Sequence, residues 1–428
     1  RRRRRTHAAA AAVAVTLLAV GSGAVAHEAE RPAAADPGDL VERVPTAPTL
    51  AEEESTLPSA DDLLDTKAVS SRVPGRWREV DTHDNTVGDG INTVCQRERF
   101  ADPDGLAALV REFAADGAPS RTLVQTVEIS KSGEDAAAAY DRAVSWFAGC
   151  SVGQLHLRES FDVRGVGDRA TMFVLDSWGS PRATHSVAVA EVGQVLTSTV
   201  VRTIKGDPPA TRSVLGTLTE ATRRICARTG TLRCMERPRL EPSAPPPAGE
   251  ETGLLATVDL PRLPGVDHPW VGTSPTPARR NPAATTCDRA EFARQGATRT
   301  RTRTFLVPQA ELPDRFGLTE VYGTFRSPKA ASNFLRTVRQ RFAGCEDRDL
   351  ATDVLSPRSL RVGPVVGSTW RLQTELSENS EVVFDVGFVR RGASVAQLTF
   401  VPAARAELAS GDFRALVVRA GQRLGELD

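Results

Sequence analysis

The chain has 428 residues, with 54 basic and 54 acidic side chains and a formal net charge of zero. That balance removes nucleic acid and other polyanions as main partners on electrostatic grounds. Six cysteines are an even number, and their use depends on the compartment the chain reaches.

The N-terminus reads as an export signal. Five arginines precede an apolar run from Ala8 to Val20, and Ala24-Val25-Ala26 is a small-x-small cleavage site, so residues 1–26 are a signal peptide and the mature chain begins near His27. Retention as an anchor is the rival, because Ala8 to Ala26 is about long enough to span a bilayer; its Ala- and Gly-rich composition favours cleavage. No later stretch is apolar for long enough to cross a membrane, and no cysteine near the cleavage point offers a lipid anchor. The expected location is secreted, outside the cytoplasmic membrane, in the cell envelope. Lys67, Lys131, Lys205 and Lys329 are the only lysines among many arginines, a bias of GC-rich genomes such as those of actinobacteria.

Residues 27–60 are Ala/Pro/Glu-rich and predict a disordered spacer. A first domain is expected over 61–235, a Pro-rich linker over 236–252 and a second domain over 253–428. The linker contains Glu241-Pro-Ser-Ala-Pro-Pro-Pro-Ala-Gly249 and should be extended, irregular and exposed.

The two domains are expected to be copies of each other. Tyr140-Asp-Arg-Ala-Val-Ser-Trp-Phe-Ala-Gly-Cys150 returns as Leu335-Arg-Thr-Val-Arg-Gln-Arg-Phe-Ala-Gly-Cys345. Cys95 and Phe100 lie upstream of the first, Cys287 and Phe292 upstream of the second. Leu63-Leu64, Val73-Pro-Gly75 and Trp77 lead into one half as Leu254-Leu255, Leu263-Pro-Gly265 and Trp270 lead into the other. Self-similarity over so long a period means two tandem domains and not a solenoid.

In the first copy, 123–130 alternates as a strand, and Ser132 opens a helix whose apolar residues Ala136, Ala139, Tyr140, Ala143 and Phe147 recur at three and four. In the second, Ser327-Pro328 sets hydroxyl cap and N1 proline before Ala331, Phe334, Leu335, Val338 and Phe342. Gly149 and Gly344 are expected to stop these helices in the left-handed C-cap conformation. Four strands follow each helix, at 154–163, 170–177, 184–191 and 195–202, and at 352–362, 368–375, 382–389 and 394–401. Gly193 and Gly392 mark the same hairpin. Each copy closes on an amphipathic helix, with Val214, Leu218, Ala221 and Ile225 in one and Phe413, Leu416, Val417, Ala420 and Leu424 in the other.

The predicted fold class is α+β: two tandem copies of an antiparallel sheet, each a four-strand meander plus N-terminal strands, with helices packed on one face and a disulfide staple. In an oxidising compartment the repeat pairs Cys95 with Cys150 and Cys287 with Cys345, leaving Cys226 with Cys234 in a short loop that only the first copy has.

The exported start, the helix ending Phe-Ala-Gly-Cys, the meander with Val166-Gly-Asp168 and the closing helix together resemble the extracellular sensor domain of PknH-type actinobacterial Ser/Thr kinases. The likeness covers most of 60–235 and 253–428. It implies a disulfide-stapled α+β domain with an open cleft beside its sheet. The chain departs from the family in having no kinase domain, and its second copy lacks counterparts of Cys226 and Cys234.

Other motifs carry little chemistry. No Gly-x-Ser-x-Gly is present, and His83, His156, His185 and His268 share no repeated context. His156 reads as a strand-surface histidine. Asp81 to Gly90 superficially resembles a calcium loop, but His83 and Thr86 fall where an oxygen ligand and glycine are needed, so a solvated turn is expected. Thr298-Arg-Thr-Arg-Thr-Arg-Thr304 puts Arg299, Arg301 and Arg303 on one strand face, as a charged edge or as a grip on envelope phosphates. Phe147, Phe342, Trp77 and Trp270 are expected in the core.

These readings predict a non-catalytic extracytoplasmic sensor or ligand-binding protein, without cofactor or metal, that takes an unidentified small molecule or an envelope lipid or glycan in a cleft beside the sheet. The alternative is a structural protein that docks an envelope protein partner through its tandem domains.

Overall fold

The computed structural model describes residues 59–117, 120–229, 235–248 and 252–428. The predicted signal peptide and all but the end of the spacer lie outside these residues. After α1 (Thr66–Arg72) come β1 (Arg76–His83), β2 (Ala107–Asp116), β3 (Ser120–Ile129) and α2 (Gly133–Ala148). The meander follows as β4 (Leu155–Val166), β5 (Arg169–Ser177), β6 (Ala183–Val192) and β7 (Val195–Ile204), then α3 (Thr211–Thr229) and β8 (Met235–Pro242). Past a 3-10 turn at Thr257–Asp259, the second half comprises the two-residue β9 (Val271–Gly272) and β10 (Thr276–Pro277), then β11 (Ala297–Leu306), β12 (Gly317–Phe325) and α4 (Pro328–Ala343). It finishes with β13 (Thr352–Val362), β14 (Val365–Ser377), β15 (Ser380–Arg391), β16 (Ser394–Val401) and α5 (Ser410–Arg423).

The repeat is therefore one of topology. The first sheet runs β1-β2-β3-β7-β6-β5-β4-β8 and the second β10-β11-β12-β16-β15-β14-β13, with β9 also on β11. Every pairing is antiparallel. Ser132 and Ser327 cap α2 and α4 by accepting from Asp135 N and Ala330 N. Gly193 and Gly392 turn the equivalent hairpins at φ 56° and 52°. Cys95–Cys150 and Cys287–Cys345 bridge Cα atoms 5.2 and 5.1 Å apart, each tying the loop that leads into β2 or β11 to the end of α2 or α4. Cys226 is also disulfide-bonded; Cys234, its predicted partner, lies outside the described residues.

Three expectations are corrected. First, the helices do not share one face. Phe147 on α2 packs with Phe173, Val187 and Val189, whereas Val214 and Leu218 on α3 pack with Met172, Ala188 and Ala190. Side chains one residue apart on β5 and β6 point to opposite faces, so α2 and α3 sandwich the sheet. The second copy repeats this: α4 covers Val386 and Phe388, and α5 covers Val389, Leu398 and Phe400. Central strands buried on both faces explain the near-continuous apolar runs of β6 and β16, which the turn-based reading did not use.

Second, Gly149 and Gly344 are not left-handed; their φ values are −119° and −110°. A Cβ at Gly149 would fall 2.0 Å from the Ala248 carbonyl oxygen, so glycine is needed there for close approach of the chain. Third, the Pro-rich linker is not irregular throughout. Its first part is β8, which pairs with β4 at the sheet edge, where Pro238 and Pro242 are tolerated. Pro245 and Ala248 beyond it are buried.

Candidate functional site

Copy 1 has a groove where the end of α2 meets β4 and β5, and the chain itself fills it. Ala248, Ala256 and Val258 join the packed cluster of Phe147, Ala148, Leu155, Leu157 and Phe173. The 3-10 turn lies on β4, and β8 covers the outer edge of that strand. Asp259 at the end of the turn is buried and receives both Arg423, at 2.9 Å, and Arg419, at 3.0 Å. The two guanidinium groups also reach across to the first copy, Arg423 donating to the Ala148 carbonyl at 2.8 Å and Arg419 to the Leu157 carbonyl at 3.2 Å. These arginines hold the Asp259 carboxyl below its usual range even though burial opposes ionisation. Buried charges at such a seam require one another: Arg423 has a second carboxylate in Glu426 at 3.0 Å, and the other partners are backbone carbonyls, which cannot neutralise a guanidinium.

The equivalent groove in copy 2 is open. Sheet register matches Phe173 with Trp370 and Leu157 with Val354, since Phe173 opposes Ser160 and Leu157 opposes Leu175 as Trp370 and Val354 sit opposite the β13 bulge and Leu372. Here none of the described residues lies over the floor, and a cleft of about 410 Å³ remains between α4 and β13–β14. Trp370 stacks on Phe342 with ring centroids 4.0 Å apart and planes 12° from parallel. Val354 is half-buried, whereas Leu157 is fully covered. A Cβ at Gly344 would meet nothing nearer than Gln340 O at 3.8 Å.

The cleft rim is cationic. Arg339 donates to Ser368 Oγ and the Gly367 carbonyl, both at 3.0 Å, and burial followed by repulsion from Arg390 pulls its guanidinium below the usual value. Arg358 and Arg361 stand exposed on β13, and no carboxylate pairs with them or with Arg339 among the described residues. The one carboxylate on the lining, Glu346, accepts from Val354 N at 2.9 Å. An aromatic floor under unpaired guanidinium groups suits an occupant with an apolar body and negative charge.

Two other hollows are present. In the groove of about 510 Å³ near His156, Arg158 pairs with Asp176 at 3.1 Å and Arg262 with Asp267 at 2.8 Å, while Arg182 and Lys205 on its wall have no carboxylate partner among the described residues. His156 is half-buried within it, and burial together with Arg419 lowers its pKa to about 4, so it stands as a neutral imidazole and not as an open-surface histidine. A hollow of about 320 Å³ beside Asp102 and Glu128 is a loop seam, in which Glu128 accepts from Asp102 N.

The remaining sequence candidates fall elsewhere. The Asp81–Gly90 turn is held from within, Asn85 donating to the Gly90 and Arg99 carbonyls. Among the described residues no group of His, Cys, Asp and Glu has a metal-binding arrangement. Arg299, Arg301 and Arg303 oppose Thr324, Tyr322 and Glu320 in an internal strand flanked by β9, β10 and β12, so they form no free edge. Arg303 is buried and donates to the Leu255 carbonyl at 3.1 Å.

That contact belongs to a duplicated device that sequence reasoning missed. In copy 1 Leu64 N donates to Gln125 and Arg111 donates to the Leu64 carbonyl; in copy 2 Leu255 N donates to Glu320 and Arg303 to the Leu255 carbonyl. The signal was present, because Leu64 and Leu255 were already aligned and Gln125 and Glu320 occupy the same place before the capped helices. Burial drives the Glu320 carboxyl up to about 8, and the nearby Asp259 adds to the rise.

No protein-family model and no curated protein matches the chain. Among solved structures it is similar to the immunity protein TplEi of the type VI secretion system from Pseudomonas aeruginosa, solved with an "L" peptide, at 12% identity and a TM-score of 0.17, covering 73% of this chain and 92% of that one. DynU16, from the dynemicin biosynthetic locus, aligns at 10% identity and a TM-score of 0.12, covering 83% and 98%. Overlaps at these scores carry no argument about fold or function. The two long disulfides accord with an oxidising compartment, and no described helix is long and apolar enough to cross a membrane.

Proposed function

We propose that this protein is a non-catalytic extracytoplasmic binding or sensing protein of the cell envelope, made of two PknH-like sensor domains of which only the second receives a ligand. The observation that carries this reading is the unequal fate of one groove: the chain closes it in copy 1 and leaves it open over stacked Phe342 and Trp370 in copy 2. Copy 1 then serves as a scaffold that holds copy 2 through Asp259, Arg419 and Arg423. The resemblance of both halves to an exported sensor domain supports the envelope setting.

Mass spectrometry of molecules retained by the natively purified protein tests it. Val354→Trp fills the cleft from its floor and should abolish retention, whereas Val152→Trp, at a position 54% exposed on copy 1, should leave it unchanged. Equal retention by both variants would contradict the assignment.

A further inference from the structure

We infer that the occupant of the second cleft is an extended, acidic segment of a partner protein, which adds a strand to the free edge of β13 and lays small apolar residues over Trp370. This rests on reading the second cleft as the binding site, and it derives from how the first is filled.

In copy 1 a single stretch of chain does two things in succession. It pairs as β8 with residues 161–166 of β4, and beyond it Ala248, Ala256 and Val258 pack into the groove. The register places Arg164 beside Arg239 and lets it reach Glu241 at 3.5 Å. Copy 2 keeps the receiving half of this arrangement. Val163 and Arg164 correspond to Leu360 and Arg361, because Asp162 opposes Thr171 as Ser359 opposes Ser368. Among the described residues nothing pairs with the outer side of β13. Its residues 358–362 therefore present an edge with no strand partner, with Arg414 donating to the Ser359 carbonyl at 3.5 Å, an arrangement that accepts a further strand. Val362 is 48% exposed on that edge and Leu355 is 40% exposed just before it.

Charge selects the occupant. Arg339, Arg358 and Arg361 surround the cleft and edge without carboxylate partners among the described residues, whereas Arg164 at the corresponding place is met by Asp162 on its own strand, where copy 2 has Ser359, and by Glu241 of β8. An incoming strand with a carboxylate opposite Ser359, as Glu241 lies opposite Asp162, reaches Arg361 diagonally and, followed by Ala- or Pro-rich chain, reproduces the contacts of Glu241 to Ala248. A second copy of this protein does not fit as the donor. The seam uses Asp259 and Arg419, and the first copy has Ala68 and Glu220 in their places by the register of the lead-in and closing helix, so its own face would oppose Arg358 with neither the turn carboxylate nor the arginine.

The test titrates full-length protein with a fluorescein-labelled peptide of residues 237–258, read by fluorescence anisotropy. The first groove is occupied by its own chain, so binding reports the second. Saturable binding is expected, weakened about fivefold by Arg361→Glu and restored by a peptide carrying Glu241→Lys, the behaviour of one partly exposed ion pair. That rescue distinguishes lost contact from lost folding. No anisotropy change up to about 1 mM peptide would overturn the inference. If decanoic acid or phosphatidylglycerol vesicles then bind in a Val354→Trp-sensitive way, the cleft remains the binding site and only the polypeptide assignment fails. If none of these probes binds, the cleft reading falls with it. A concentration-dependent dimer that Arg361→Glu abolishes would replace the partner protein by a second copy of this chain.

Discussion

The two halves share strand order, helix caps, disulfide staple and the buried Leu–Gln/Glu–Arg device, yet differ at one edge. Copy 1 has its β4 edge paired by β8 and its groove filled; in copy 2 no strand among the described residues pairs with the outer edge of β13, and the groove is open. Duplication thus preserves what folding needs, namely two helices sandwiching a sheet whose central strands are buried on both faces. The outermost strand is freed from that requirement, and there the copies diverge. A fold can change use at an edge while its core stays constant.

Breaking the seam should have the largest effect. Asp259→Ala leaves Arg419 without a carboxylate and Arg423, which is 0% exposed, with Glu426 alone, and should cost about 3–5 kcal/mol. Scanning calorimetry should then show two transitions, because the scaffold no longer holds the second copy.

The paired glycines sharpen the contrast. Gly149→Ala drives a methyl group into the Ala248 carbonyl, 2.0 Å from its position, and should cost about 1–3 kcal/mol as the strap is displaced. Gly344→Ala meets only open space at a φ of −110° and should be neutral or stabilising by about 0.4–1 kcal/mol. Urea denaturation of the two variants checks the difference.

A further effect concerns pH. Glu320 stays protonated in the folded protein up to about pH 8, against 4.5 ordinarily, so its contribution is complete below pH 4.5 and is lost as the pH rises through 8. Glu320→Gln copies the Gln125 arrangement of the first half. Its stability advantage over the parent should therefore grow from pH 5 to about pH 8 and then level off. His156, lowered to about 4, acts in the opposite sense below pH 6.5 and cancels in the difference between the two proteins.

Much of this was legible in the sequence. The Phe-Ala-Gly-Cys repeat placed both helices, the two cysteine pairs and all eight meander strands, because caps, turns and apolar periodicity are local signals. The side on which a helix packs is not local. Val214 and Phe147 are equally apolar, and only the alternation along β5 and β6 separates their faces. The linker misled because proline-rich composition predicts lack of structure, whereas an edge strand needs few N–H groups and tolerates Pro238 and Pro242. The cleft was invisible for a related reason: Trp370 and Phe342 read as core residues, and both are buried, at 6% and 2% exposed. What makes them a site is the missing strap above them, which no residue within the cleft encodes.

Amide hydrogen exchange on β4 and β13 tests the central contrast most directly. Residues 161–164, whose outer side is paired with β8, should exchange slowly, whereas outward-facing amides of 358–362 should exchange much faster in the unliganded protein. Equal protection of the two segments would mean that the second edge is already covered, and would contradict the account of an open second cleft.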